Sequence, residues 1–359
     1  MQESRAKVAE MKIKYTDVLN SSVEWTKAVL LRPFNMKKWV ILTFVALMAG
    51  TLMNNSFNFQ IPSSASKDKK VQSEKVIKAT PEADKKAPAS RLSLPLIVLI
   101  VFVVMAFAVL FTWLSSRFDF VFLDNIVKNN ASIKIPFRAN RKIGNSLFLF
   151  NLAMIAVFFI SLGVLFLPFI LILWKTNFSG QDPAAALMQI FSVSAPLLVL
   201  FFILIVIFGF VVLVANDFIV PVMYRDKIGF TKAYAQVRPI IMESKFEVLI
   251  YCLIKSALGL GIGIASMIIA FLAILALILP VLILAVLLYG VYLILPAPAQ
   301  LIFAITSLII TLPVLGFIFM LSIWCLNLPF AVFMRIFSLK FISRLAPRYN
   351  LFKLDITPR

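Results

Sequence analysis

The chain has 359 residues, 62% of them hydrophobic and 14% charged, with a mean hydropathy of +0.99. Soluble domains hold about 45–50% apolar and about 25% charged residues, so a water-soluble enzyme or nucleic-acid-binding module is excluded and an all-α polytopic membrane helical bundle is indicated. The 35 Lys and Arg against 16 Asp and Glu give +19, but they sit between long uncharged runs, where the natural partners are anionic membrane lipids rather than nucleic acid.

In chain order, residues 1–38 form a basic segment. Asn20, Ser21 or Ser22 is placed to cap a short interfacial elbow helix with Trp25, Val29 and Leu30 on one face, ended by Pro33. A first transmembrane helix is expected over 39–58, apolar from Trp39 to Met53, and is read as an uncleaved anchor. Residues 59–93 carry Lys, Ala, Ser and Pro with almost no large apolar side chains, the composition of a disordered extracytoplasmic linker.

The main transmembrane domain is expected over 94–334, with spans at 94–114, 146–174 and 195–215. After the last of these, the 216–247 loop carries Phe230, Tyr234, Val237 and Ile241 as an amphipathic stripe, an interfacial helix shortened by Pro239. From Ser256 to Met334 no charged residue occurs, and this long run is read as two further crossings. Pro280, Pro296, Pro298 and Pro313 punctuate it, and the short stretch from Val281 to Leu295 fits a re-entrant or interfacial segment better than a span. Residues 335–359 read as a basic cytoplasmic tail.

This makes about six transmembrane helices. With the N-terminus inside, 25 Lys/Arg fall on the cytoplasmic side and 9 outside, which places both termini in the cytoplasm of a bacterial cytoplasmic (inner) membrane.

Chemistry is sparse. The chain has no histidine, which removes His-based acid–base chemistry and His-ligated metals, and no P-loop, zinc spacing or G-x-S-x-G occurs, so no catalytic residue, metal or cofactor is expected. Cys252 and Cys325 lie in apolar runs and indicate no disulfide. Gly259, Gly261 and Gly263 read as a close helix contact or a flexible point.

The charged residues at the membrane edge are Arg117, Asp119, Asp124, Asp217, Arg225, Lys227 and Lys255, candidates for a lipid-headgroup site or a structural polar cluster. Arg117 and Asp124, seven residues apart, read as an ion pair on one helix face, with a headgroup site as the alternative. Lys255 reads as snorkelling to the headgroups, since no intramembrane acid is expected beside it; that argues against proton- or sodium-coupled transport. Asp119-Phe120-Val121 matches Asp217-Phe218-Ile219, and NDFIVPVMYR (216–225) can be laid over NLPFAVFMR (327–335). In this weak parallel repeat the two acids close helices at their cytoplasmic ends, with Arg117, Arg225 and Lys227 as the near cations.

RPFNMKKW (32–39), WLSSRFDFVFLDNIVKN (113–129), RKIGNSLFLF (141–150), DFIVPVMYRDKIG (217–229) and LAPRYNLF (345–352) together resemble uncharacterised bacterial polytopic inner-membrane proteins related to the glycerophosphoryl diester phosphodiesterase membrane domain. The resemblance runs along nearly the whole chain and implies an all-helical membrane domain with a basic cytoplasmic face and no assigned activity. The chain has no phosphodiesterase domain. Three classes of function follow: a non-catalytic membrane component that scaffolds or interacts with lipid, a transporter or flippase for a lipid or other amphipath, and a membrane-embedded enzyme acting on phospholipid headgroups. The first is expected.

Overall fold

A computed structural model describes residues 14–54, 94–175 and 183–353. The linker expected over 59–93 lies outside them. Every regular element among the described residues is helical.

The chain opens with α1 (Tyr15–Leu31) and α2 (Met36–Met48), followed after Ala49–Gly50 by the single turn α3 (Thr51–Asn54). The sequence before Pro33 forms one helix that starts at Tyr15, earlier than the capping serines suggested. Ser22 Oγ instead donates back to the Val18 carbonyl at 2.6 Å, as serines do inside a helix. Asn35 caps α2 by accepting from the Lys38 N–H at 3.2 Å. Trp39 Nε1 donates at 2.8 Å to the carbonyl of Leu30, one of the four carbonyls that the end of α1 leaves without a helical donor. The expected 39–58 span is described only to Asn54.

Next come α4 (Leu94–Val127), α5 (Lys134–Ala139), α6 (Arg141–Lys175) and α7 (Pro183–Val214). A π-turn, Ala215–Ile219, joins α7 to α8 (Val220–Asp226). The amphipathic α9 (Phe230–Glu243) follows, then α10 (Lys245–Ile294) and α11 (Ala297–Leu345), and two 3₁₀ turns at Pro347–Tyr349 and Leu351–Lys353. Five helices among the described residues are long and apolar enough to cross a membrane: Pro95–Val127, Arg141–Leu171, Ser194–Asp226, Lys245–Ile294 and Ala297–Leu345.

Three expectations change here. Residues 281–295 are not a separate re-entrant piece, because α10 runs unbroken through Pro280 to Ile294. A proline interrupts one backbone hydrogen bond, and the apolar residues on both sides favour continuing the helix. Residues 335–345 are not a tail but the last three turns of α11, with Arg335, Phe337, Ser338, Phe341 and Ile342 buried. Pro239 lies inside α9, which continues to Glu243; Ala233 and Val237 form its buried face and Tyr234 is exposed.

The chain divides into two units at Phe57/Asn58 and Phe111/Thr112. Of the second, the described part is Leu94–Phe111 of α4, whose apolar side chains from Leu96 to Phe107 are exposed. In the first unit the core sits where α4, α6, α8, α10 and α11 meet α1, α2 and the two 3₁₀ turns. Its two apolar clusters are centred on Phe120, Phe218, Tyr251 and Phe341, and on Leu42, Phe118, Phe122 and Val332. α4 is buried on every side from Ser116 to Val127, because Phe120 and Leu123 enter one cluster while Phe118, Val121 and Phe122 enter the other. By contrast, Leu198–Val212 of α7, Leu260–Ile294 of α10 and Leu301–Leu326 of α11 hold exposed apolar side chains along their length, the surface of helices meant for lipid.

Candidate functional site

The polar centre of the core begins with a proline. In a regular helix the carbonyl of Asn216 would accept from the N–H of Val220, but that N–H bonds instead to Ala215, five residues back. The residue five beyond Asn216 is Pro221, which has no N–H. The Asn216 carbonyl is therefore left without a backbone donor, and the guanidinium of Arg335 supplies one at 3.0 Å. The widened turn also carries Asp217 inward, where it is 3% exposed.

Asp217 is met from two helices. Lys255 of α10 places Nζ 2.5 Å from Oδ2, and Tyr251, one turn earlier, donates its hydroxyl to the same oxygen at 2.9 Å. Ser338 of α11 donates to Oδ1 at 2.9 Å. One turn before Ser338, Arg335 lies 3.0 Å from Asp119 Oδ1, an ionic contact between residues that are each under a tenth exposed. Asp119, Asp217, Lys255 and Arg335 thus sum to zero charge. The Tyr251 ring stacks on Phe341 at 4.3 Å and on Phe337 at 5.4 Å, which walls the cluster with apolar surface. In so dry a setting each paired charge depends on its partner.

A second group lies beside the ends of α4 and α8. Tyr224 donates to Asp124 Oδ1 at 2.6 Å, and Lys128, one turn on, is 2.8 Å from the same oxygen. Lys227 closes α8 in the left-handed conformation at φ 55° and donates to Asn140 Oδ1 at 2.8 Å. Burial holds the Lys227 amine below the usual lysine range, against the opposing pull of the Asp124 carboxylate.

Arg117 stands apart. Its Nε and Nη2 reach Asn145 Oδ1 at 3.2 and 2.8 Å, and its guanidinium lies 4.1 Å over the Trp113 ring and 5.3 Å from that of Phe137. Gly144 makes room for it: a Cβ there would come within 2.9 Å of Arg117 Cγ.

The seven residues singled out from the sequence therefore fall into separate places. Asp217 and Lys255 pair with each other, which corrects the reading of Lys255 as a snorkelling cation without an acid. Arg117 and Asp124 form no ion pair; each turns to an amide or a phenol on a neighbouring helix. Arg225 lies 3.8 Å from Asp226 and 5.3 Å from the Tyr349 ring, and neither it, Arg117 nor Lys227 is the cation that meets Asp119 or Asp217. Asp119 and Asp217 do not close helices, since α4 runs on to Val127 and α8 to Asp226. Both acids nonetheless find donors. Gly259, Gly261 and Gly263 have no atom within 4 Å of where a Cβ would stand, so they are not a close helix contact.

Sequence reasoning missed Arg335, Ser338, Tyr251, Tyr224 and Asn145. A signal for the first was present: Arg335 is the first charge after the long uncharged run and ends the string laid over the one containing Asp217.

A helical bundle with several membrane-length apolar helices, in which Asp119, Asp217, Lys255 and Arg335 are paired at the centre, is a multi-pass membrane protein. By its sequence, the chain belongs to a family of unknown function, DUF7544, over residues 13–352. No curated protein and no solved structure matches it.

Proposed function

We propose that the protein is a non-catalytic component of the bacterial cytoplasmic membrane that scaffolds or interacts with lipid, with both termini and its basic loops on the cytoplasmic side. One observation carries this reading: the four charge-rich segments assigned to that side pack into a single core. Tyr15 of α1 donates to the Glu247 carbonyl at 3.4 Å, Trp25 Nε1 reaches the Ile126 carbonyl at 3.5 Å, Lys38 donates to Asn129 at 2.7 Å, and Tyr349 donates to Gln236 at 3.1 Å. Segments that touch share one face of a membrane, so an even number of crossings separates each pair. The α6–α7 and α10–α11 helices supply pairs, and the first span expected over 39–58 would be the companion of α4.

The non-catalytic part rests on the carboxylates. Asp119, Asp124 and Asp217 are each engaged by side chains of the protein, which fits a structural role. The kinship with the phosphodiesterase-linked membrane domain belongs to this proposal and rests on strings such as RPFNMKKW and LAPRYNLF.

Cysteine labelling tests the topology. In a chain lacking Cys252 and Cys325, a Cys at position 343 is expected to resist an impermeant maleimide from outside, and one at position 73 to react. Labelling of position 343 from outside would overturn the arrangement. Mass spectrometry of lipids co-purified from native extracts tests the lipid interaction, which is contradicted if none is enriched over bulk membrane.

A flippase for an amphipath is the second reading. Pro280 and Pro313 stand nearly equally far along the chain from Pro296, at matching heights in the α10–α11 hairpin, where paired kinks would bend both helices together. Translocation of a fluorescent phospholipid in proteoliposomes, above the rate in protein-free vesicles, would favour it over the scaffold.

A further inference from the structure

We infer that Arg117 and Arg141 form a binding site for the phosphodiester of an anionic phospholipid; this rests on the membrane orientation proposed above. The argument starts from charge. Asp119, Asp124 and Asp217 are all matched, and Arg335 and Lys255 are the cations that meet Asp119 and Asp217. Arg117 is 8% exposed, and no carboxylate pairs with it among the described residues. A guanidinium so nearly buried faces only a neutral amide and two aromatic rings, and Arg141 stands one turn before that amide on the same helix.

The surroundings carry the same sign. From residue 125 to residue 181 there is no Asp or Glu, while Lys128, Lys134, Arg138, Arg141 and Lys142 all lie near the turn between α4 and α6 and are exposed. Arg117 lies below this basic rim, and Trp113, one turn further in, is the residue type that settles at the headgroup boundary. Asn145 engages Nε and Nη2 and so fixes the plane of the fork, with Nη1 outside those bonds. A planar fork held in this way suits two phosphate oxygens, and Arg141 at the first turn of α6 adds charge where the helix dipole is also positive.

The test uses the intact protein in detergent micelles, titrated with dioleoylphosphatidylglycerol, with dioleoylphosphatidylcholine, or with inorganic phosphate, and read by native mass spectrometry and thermal unfolding. Phosphatidylglycerol is expected to be retained over phosphatidylcholine. Asn145→Asp gives Arg117 an internal carboxylate of the same shape; it should leave folding intact or firmer and weaken phosphatidylglycerol binding by about tenfold or more. Arg141→Gln, on an exposed residue, should weaken it in the same direction. Lys128→Gln, whose charge Asp124 already meets, should not. Unchanged binding in Asn145→Asp and Arg141→Gln would overturn the site. So would stabilisation by inorganic phosphate with no lipid retained, which would assign a free anion instead. Neither result touches the topology, which the labelling experiment decides separately.

Discussion

Arg335 donates to the main-chain carbonyl of Asn216 across 119 residues of sequence, in the place of the amide proton that Pro221 lacks. The same guanidinium neutralises Asp119, so one side chain compensates both for a proline and for a buried acid.

Removing it should be severe. Arg335→Met is expected to destabilise the fold by about 3–5 kcal/mol, because a buried carboxylate is left unpaired. Adding Asp119→Asn should recover much of that loss, a coupling that a double-mutant cycle of thermal unfolding in detergent can read. Additive effects would mean that the two groups do not depend on each other.

At Asp217 the partners differ in weight. Tyr251→Phe removes one hydrogen bond to a charge and should cost about 1.5–3 kcal/mol. Lys255→Met leaves the carboxylate with hydroxyl donors only and should cost more than Tyr251→Phe. If the lysine change is neutral in an unfolding assay, Lys255 sits in the headgroups after all.

Glycines of one chain should respond in opposite ways. Gly144→Ala brings a Cβ within 2.9 Å of Arg117 Cγ and within 3.3 Å of its Cα, and is expected to destabilise by about 1–3 kcal/mol. Gly261→Ala meets nothing within 4 Å and should be neutral or stabilising by up to about 1 kcal/mol from helix propensity. Melting temperatures of the two variants side by side decide this.

The end of the chain should matter to folding. Tyr349 and Leu351 are essentially buried, and the ring of Phe352 meets Trp25 edge-on at 4.9 Å. Truncation after Ala346 is expected to lower the yield of folded, monodisperse protein in size-exclusion chromatography. A truncated chain that elutes and melts like the intact one would restore the picture of a free tail.

Membrane helices were legible because a span needs a long apolar run, and such runs are visible without any knowledge of partners. The all-helical bundle and the spans of α4, α6 and α7 follow from that alone, and α9 from its amphipathic stripe. Pairing was not legible. Which cation meets Asp119 depends on how the end of α11 packs against α4, far away in the chain, and hydropathy is blind to it. The buried terminal segments were missed for a related reason. In 335–352 the basic residues Arg335, Lys340, Arg344 and Arg348 stand among Ile336, Phe337, Leu339, Phe341 and Ile342, and counting charges hides the apolar face between them. Pro280 misled because a proline flanked by long apolar runs bends a helix without ending it.

Arg335 and Ser338 belong to α11, made long after α4, so biogenesis has an order built into it. More than half of the chain is made between Asp119 and the cation that meets it. At about 5–20 residues per second that interval is roughly 10–40 s, during which α4 carries an unmatched acid beside the lipid. The nascent chain therefore stays unfinished at its centre until α11 is made, and its early helices need a sheltered place, at the insertion machinery or against water, until then.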